Sequence, residues 1–446
     1  MAAVTQNANA HAAREAAVSI VRKLARAGFT AYLAGGCVRD ELLGLVPEDY
    51  DVATDARPEQ VKGLFRSVSE VGASFGVLLV RRRGATIEVA TFRTEGAYSD
   101  RRRPDEVRYA DAAADAHRRD YTINALFLDP LASPGVRRSD GEMEAVPPPL
   151  TAPRGCVIDF VGGVLDLAQG LLRAVGDPDQ RLAEDHLRGL RGVRIAARHG
   201  FRIDAPTSQA IRRHASALAG VSRERVGEEI RRMLTPGATR VRAVELLEDH
   251  LLAQPALTLG PVEAVDCPTV RAMRKEAAFA TVLAAWALDR SGAPRAAPPT
   301  LGLIDTIVRT LRRSLCLSNQ ERDALRSALK GLRAMQRDWD NAAVALRKRW
   351  AASPWFEAAL ALLEARAPAR ARALREQVEA LARTPSGLAP TPLLTGDDVV
   401  EIVGSPGPAV GRILRRVYDA QLEDAVQTKA DARALAVRLA QREETH

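Results

Sequence analysis

Cysteine is scarce and scattered: Cys37, Cys156, Cys267 and Cys316 lie far apart, and no two form a C-x-x-C pair. That spacing argues against a disulfide scaffold or a zinc site and makes a reducing compartment the default. Aromatic residues are only 4% of the chain, too few for the stacking sheet of an RRM-type RNA reader. Lysine is nearly absent, with Lys23, Lys62, Lys275, Lys330, Lys348 and Lys429 the only examples. The basic charge is therefore almost all arginine, a bias that a GC-rich genome also produces. The longest apolar run, 277–288, is too short to cross a bilayer. The opening MAAVTQNANAHAAREAAV has neither the basic start nor the apolar stretch of a signal peptide. These absences predict a soluble, cytoplasmic protein with no membrane partner and no evident obligate protein partner.

With 446 residues the chain is long enough for two to four domains. Lys+Arg number 64 against 56 Asp+Glu, a net charge of +8 that leans towards a polyanionic partner such as nucleic acid. Pro, Gly and Ser concentrate in 131–155, read as a long surface loop, and around 292–299 and 384–392, read as interdomain connections. After a first helix at 12–27, short strands are expected at 31–34, 50–53, 77–81, 85–91 and 125–128, with short helices between them, such as 58–65. From about residue 177 onward the pattern is Ala, Leu and Arg at helical spacing. The expected fold is thus α+β: a small mixed-sheet head of five strands at 12–175, then an all-helical remainder. The latter divides into a neck at 176–240, a body at 241–383 and a tail at 384–446.

Two pieces of the head carry chemistry. In LAGGCVRD (33–40) an apolar strand ends at Gly35-Gly36 and a helix follows. Glycines there let the backbone approach a ligand, and N–H groups at a helix start can bind phosphate oxygens; alone, such a pair is also just a turn. In PEDYDVAT (47–54), strand alternation puts Asp49 and Asp51 on one face. Two carboxylates so placed repel unless a cation lies between them, and hard oxygen ligands suit Mg²⁺ while leaving positions for substrate phosphates. An isolated D-x-D is also what a solvated strand end looks like. Glu88, within the apolar strand 85–91, either adds a third carboxylate or points outward.

Further on, EDHLRGLRGVR (184–194) puts Asp185 and Arg188 three apart, a spacing that shares a helix face. Arginine offers donors and an ionised aspartate offers acceptors. Cytosine and adenine each present an amino donor beside a ring-nitrogen acceptor, whereas uracil and guanine present the reverse. An Asp–Arg pair therefore suits C and A. The plain alternative is acidic residues favouring a helix start while the arginines face water.

Taken together, Gly-Gly-x-Val-Arg-Asp followed by D-x-D, RRDYTINA at 118–125 and EDHLRGLRGVR resemble the motif series of the class II bacterial CCA-adding tRNA nucleotidyltransferase and poly(A) polymerase family. That family shares the DNA polymerase β-type nucleotidyltransferase head. The resemblance implies attack of an RNA 3′-hydroxyl on a nucleoside triphosphate with release of pyrophosphate. It implies Mg²⁺ held by Asp49 and Asp51 as catalytic and metal-binding residues. It implies nucleotide contacts from Gly35, Gly36, Arg39, Arg119, Asp185, Arg188, Arg191 and Arg194. FRTEGAYSDRRRP (92–104) resembles the CCA-type loop, and GDDVVEIVGSPGPAVGRILRR (396–416) resembles a tRNA-gripping tail. The expected substrates are CTP, ATP and tRNA, the last held by its acceptor stem and T-loop. The sequence departs from the family at His186 and Gly189 and in the 131–155 stretch, read as an insertion before a D-x-x-G-G element at 159–163. The region around 277–289 lacks a His-Asp pair, with only His250 nearby, so no phosphohydrolase module is expected. The alternatives are a poly(A) polymerase, a partial CC- or A-adding enzyme, or a non-catalytic RNA-binding protein.

Overall fold

The computed structural model describes residues 2–70, 76–95, 107–235 and 237–443. The 96–104 part of the CCA-type loop lies outside them. The chain forms two compact units: Met1–Glu229 with Leu246–Ala256, and Ile230–Glu245 with Leu257–His446.

The first unit holds the sheet. Over residues 31–159 its strands are β1 (Ala31–Ala34), β2 (Asp51–Thr54), β3 (Val68–Glu70), β4 (Val77–Arg82), β5 (Ala85–Thr91), β6 (Arg93–Glu95), β7 (Val107–Tyr109), β8 (Phe127–Asp129), β9 (Gly135–Arg138), β10 (Met143–Glu144) and β11 (Cys156–Asp159), and a further short parallel pair joins Leu171–Leu172 to Arg202–Ile203. Among the described residues nine of them make one mixed sheet, ordered β10-β9-β11-β8-β1-β2-β5-β4-β3, while β6 and β7 pair as a separate ribbon. Only β2–β5 and β9–β11 run parallel within the large sheet.

Residue alternation explains how the strands bury. In β5, Ile87 and Val89 are buried while Glu88 between them is exposed, so one strand supplies both core and site. The helix Ala2–Arg26 packs on β1, β2, β4 and β5. Ala17, Ile20, Val21 and Leu24 recur at helical spacing along it and are wholly buried. A second cluster gathers Ala34, Ala53, Phe92, Phe127, Ile158 and Val175, with the Phe92 and Phe127 rings edge to face at 5.7 Å.

The sheet therefore has nine strands, not five. Part of the excess comes from 131–155, which is not a structureless loop: β9 and β10 form a hairpin that extends the sheet through β11. Val136 enters the core while Arg137 and Arg138 stay exposed. So few apolar residues amid Pro, Gly and Ser give no strand signal.

At the end of β11 the D-x-x-G-G element makes a tight clamp. Asp159 Oδ1 accepts from the N–H groups of Val161, Gly162 and Gly163 at 3.0, 2.8 and 3.0 Å, and Oδ2 from Val164 at 2.9 Å. The carboxylate thereby satisfies the free donors that open the helix Gly163–Ala168.

The second unit is helical. Phe279–Arg290 runs through its core with Val282, Leu283, Ala284, Ala285, Trp286, Ala287 and Leu288 fully buried. Asp289 accepts from the Thr269 and Val270 N–H groups, capping Pro268–Ala272. The last three helices, Gly396–Val403, Pro408–Leu422 and Lys429–Glu443, close around Val399, Ile413, Val417, Ala432 and Ala436. No helix among the described residues is long and apolar enough to cross a membrane.

The Asp159 clamp yields a stability prediction. Asp159→Ala strands four N–H donors near a buried turn, and a lost cap of this kind costs about 2 kcal/mol. Urea unfolding of the full chain, followed by far-UV circular dichroism, should show the sheet-containing unit melting earlier.

Candidate active site

The carboxylates meet at the start of β2. Parallel pairing sets Asp51 opposite Glu88 on β5. Asp49 lies two residues before the strand, which begins at Asp51, so strand alternation is not what delivers it. Its segment is instead pinned by Tyr50, buried at 5% exposure, whose hydroxyl donates to Glu41 Oε1 at 3.0 Å. Glu41 in turn accepts from Arg14 Nε at 2.7 Å.

The three carboxylates feel one another. Burial, then the charges of Glu88 and Asp49, push the Asp51 carboxyl from 3.8 up to about 7, with Arg119 opposing. Burial and Asp49 likewise raise Glu88, against the pull of Arg93. Such a site favours a cation. Among the described residues no three acidic, His or Cys side chains form a ready metal cage. The fit is therefore to a divalent ion held by one or two carboxylates and completed by substrate phosphates, the usual arrangement for Mg²⁺.

Beside this cluster lies the glycine turn. Gly35 has φ 76°, a left-handed value open to glycine, and a Cβ there would lie 3.1 Å from Arg119 Nη1. Gly36 begins the helix Gly36–Leu42. Arg119 Nη1 donates to the Asn124 carbonyl at 3.0 Å, its Nε and Nη2 grip Asp115 Oδ2, and the guanidinium lies 4.8 Å over the Phe127 ring. Arg39 is buried, donating to Asp40 Oδ1 at 2.8 Å and to Asn124 Oδ1 at 2.6 Å.

RRDYTINA then docks on the helix Leu187–His199. Asp120 Oδ2 accepts from Arg191 Nε at 2.8 Å, and Tyr121 Oη donates to the Arg188 carbonyl at 2.6 Å. Burial raises Asp120, but the Arg191 and Arg188 charges outweigh it and hold the carboxyl at about 2. A Cβ on Gly192 would lie 2.2 Å from the Tyr121 hydroxyl, so only glycine permits this approach.

The expected shared helix face of Asp185 and Arg188 is not what forms. One helix, Pro178–Glu184, stops, and Asp185 sits extended at the break (φ −149°, ψ 106°) before Leu187–His199 begins. The two stay close through the turn, since Arg188 N–H donates to the Asp185 carbonyl at 3.0 Å. Asp185 Oδ2 accepts from Arg225 at 2.6 Å, while Arg188 pairs with Glu184 and donates to the Arg181 carbonyl at 2.8 Å. Arg194 pairs with Glu229 at 2.7 Å. Sequence reading passed over Asp115, Asp120, Tyr121, Asn124, Glu184, Gly192 and Arg225. Five of these sit inside motifs quoted for other residues, which was the available signal.

Comparison with known proteins gives the class first. Residues 31–173 match the poly A polymerase head domain, and 200–258 match a probable RNA- and SrmB-binding site of polymerase A. A CCA-adding enzyme of Lacticaseibacillus paracasei is 39% identical over 240 residues, 54% of this chain and 54% of that protein. One of Leuconostoc mesenteroides is 39% identical over 235 residues, covering 52% and 53%. The matches thus span about half the length of these curated relatives. Among solved structures, the Bacillus stearothermophilus CCA-adding enzyme in complex with CTP superimposes with a TM-score of 0.69 at 26% identity, covering 97% of this chain and 99% of that one. A Thermotoga maritima CCA-adding enzyme complexed with tRNA shares the fold at TM-score 0.62 and 15% identity, covering 94% of each chain. Residues 31–173 are thus similar to the poly A polymerase head domain, and the chain is similar to CCA-adding enzymes in sequence over about half its length and in fold over nearly all of it.

The carboxylate cluster predicts a pH signature. Because the Asp51 carboxyl is higher in the fold than in the unfolded chain, stability is fullest below about 4 and is lost as pH rises through about 7. In EDTA, calorimetry should therefore show Asp51→Asn raising Tm at pH 8 but not at pH 4. Added Mg²⁺ or Mn²⁺ should raise the Tm of the unmodified chain at pH 8 and leave the variant nearly unmoved.

Proposed function

We propose that the chain adds or repairs the 3′ CCA end of tRNA, taking CTP and ATP and releasing pyrophosphate. The observation that carries this reading is the Asp49–Asp51–Glu88 cluster facing Arg119 beside the Gly35-Gly36 turn. Asp49 and Asp51 would hold Mg²⁺. When bound, the ion supplies charge to neutralise the triphosphate and to ease ionisation of the attacking hydroxyl.

The protein's own groups do the rest. Gly35 and Gly36 leave room for the nucleotide, and Arg119 lends positive charge next to the carboxylates. At the other end of the nucleotide, Asp185 offers acceptors and Arg188 donors, the complement of the C and A edges and not of U and G. The names of the curated relatives support CCA addition over the rival poly(A) activity.

The second unit has a surface suited to RNA. A groove of about 590 Å³ is lined by Arg309, Arg312 and Arg313 from the helix Leu301–Ser314 and by Arg322 and Arg326 from Asn319–Arg333, with Asp305 the lone acid in its lining. Among the described residues Arg309 and Arg313 have no ion-pair partner. Such a lining suits phosphodiester oxygens.

Incubating the chain with tRNA lacking CCA, with CTP and ATP separately and together, tests the reading. CC addition with CTP, and CCA with both, is the expected result; long A-tails on unrelated RNA would give the activity to the poly(A) rival. Asp49→Ala and Asp51→Ala should each cut incorporation by at least about 10³-fold while tRNA binding persists. Incorporation unchanged in Asp51→Ala would favour a non-catalytic RNA-binding protein. Arg309→Ala with Arg313→Ala should weaken tRNA binding and flatten its log–log salt dependence by about 1 to 2, read by filter binding across a salt series.

A further inference from the structure

Three of the arginines proposed to contact nucleotide converge on two buried residues that the motif reading left without a role. The Asn124 side chain accepts from Arg39 and its backbone carbonyl accepts from Arg119. Its amide nitrogen donates to Asp120 Oδ1 at 3.2 Å, and Asp120 Oδ2 takes Arg191. The next residue, Tyr121, holds the backbone of Arg188. We propose that Asn124 and Asp120 are positioning residues that bracket the glycine turn to the helix Leu187–His199, so that one rigid frame sets both the phosphate-side and base-side arginines. The proposal rests on the nucleotide-transfer reading above.

Donor and acceptor counting shows why an amide is needed. Arg39 can only donate, and an ionised Asp120 can only accept. Asparagine joins them because it carries one acceptor and a donor group at a fixed separation. At 9% and 8% exposure, Asn124 and Asp120 are shielded from water that could otherwise bridge the gap. Neither presents itself to a nucleotide, so any effect must pass through Arg39, Arg119 and Arg191. Low solvation strengthens each link and makes an unmatched member costly.

The informative variant is Asn124→Asp. It keeps the shape but replaces the donor with an acceptor, setting carboxylate against carboxylate. Asp120→Asn alone removes the charge that faces Arg191. Combining the two restores a donor between the pair and one negative charge. Recovery should be partial, because the Tyr121 N–H, which donates to Asp120 Oδ1 at 2.9 Å, loses an acceptor.

The test measures KM and kcat for CTP and ATP on tRNA lacking CCA, incorporation of UTP and GTP, and equilibrium binding of CTP against UTP to the full chain with Mg²⁺. Displacements of the order of 1 Å in such frames cost up to about 10²-fold. Asn124→Asp should therefore raise KM and lower the CTP-over-UTP ratio by about tenfold or more, with kcat moving less. The double variant should recover part of that ratio. The ratio is independent of how much protein is folded, so instability alone does not imitate it. An unchanged ratio in Asn124→Asp, or no recovery in the double variant, overturns the bracket. If the unmodified chain binds CTP selectively but transfers nothing, the transfer reading fails, and the bracket stands or falls on the binding ratio.

Discussion

Repulsion among three carboxylates is the constraint around which the first unit is organised. Asp49, Asp51 and Glu88 come from a pinned loop and two parallel strands, and nothing but the fold keeps them close. The parallel register is decisive: a slip by one residue would turn Glu88 into the core and Ile87 or Val89 towards the acids. Core and site thus depend on the same register, since the residues that bury Ile87 and Val89 also fix Glu88. Arg119 supplies partial compensation, itself held by Asp115 and braced over Phe127.

A second theme is that the arginines arrive already bonded. Arg39, Arg119, Arg188, Arg191 and Arg194 each contact a carboxylate: Asp40, Asp115, Glu184, Asp120 and Glu229. A free arginine loses about 2 kcal/mol of rotamer freedom when a ligand immobilises it, and here most of that ordering is complete before any ligand arrives. The acids also limit how much positive charge accumulates, so the chain can pack many guanidinium groups in one region and keep each one oriented.

Much of the local structure was legible in the sequence. Strands 31–34 and 85–91 have the predicted bounds: the first is a short apolar run ended by a glycine turn, and in the second apolar residues alternate with polar ones. The head hairpin β9–β10 was not legible, since a four-residue strand beside a two-residue one leaves no period to detect. The break at Asp185 was hidden for another reason. Glu184, His186 and Leu187 permit helix, and what stops it is tertiary: Asp185 is drawn to Arg225, forty residues on. Asn124 and Asp120 escaped because a buried polar residue is recognised by its partners, and those lie up to 85 and 71 residues away.

That break changes how a polypeptide can stand in for a template. Two side chains on one continuous helix would share its motion, and their separation would be fixed by helical geometry alone. Here the carboxylate of Asp185 is oriented by Arg225 from the helix Arg223–Leu234, while the guanidinium of Arg188 is oriented by Glu184 from the preceding helix. Their relative placement is therefore set by tertiary packing and can be matched to the edge of a base, which calls for alignment to about 0.5 Å. Tyr121 Oη, bonded to the Arg188 carbonyl, ties that placement to the same RRDYTINA segment that carries Arg119 beside the carboxylates. The residues proposed to read the base and those proposed to meet the phosphates are therefore joined by one scaffold of hydrogen bonds.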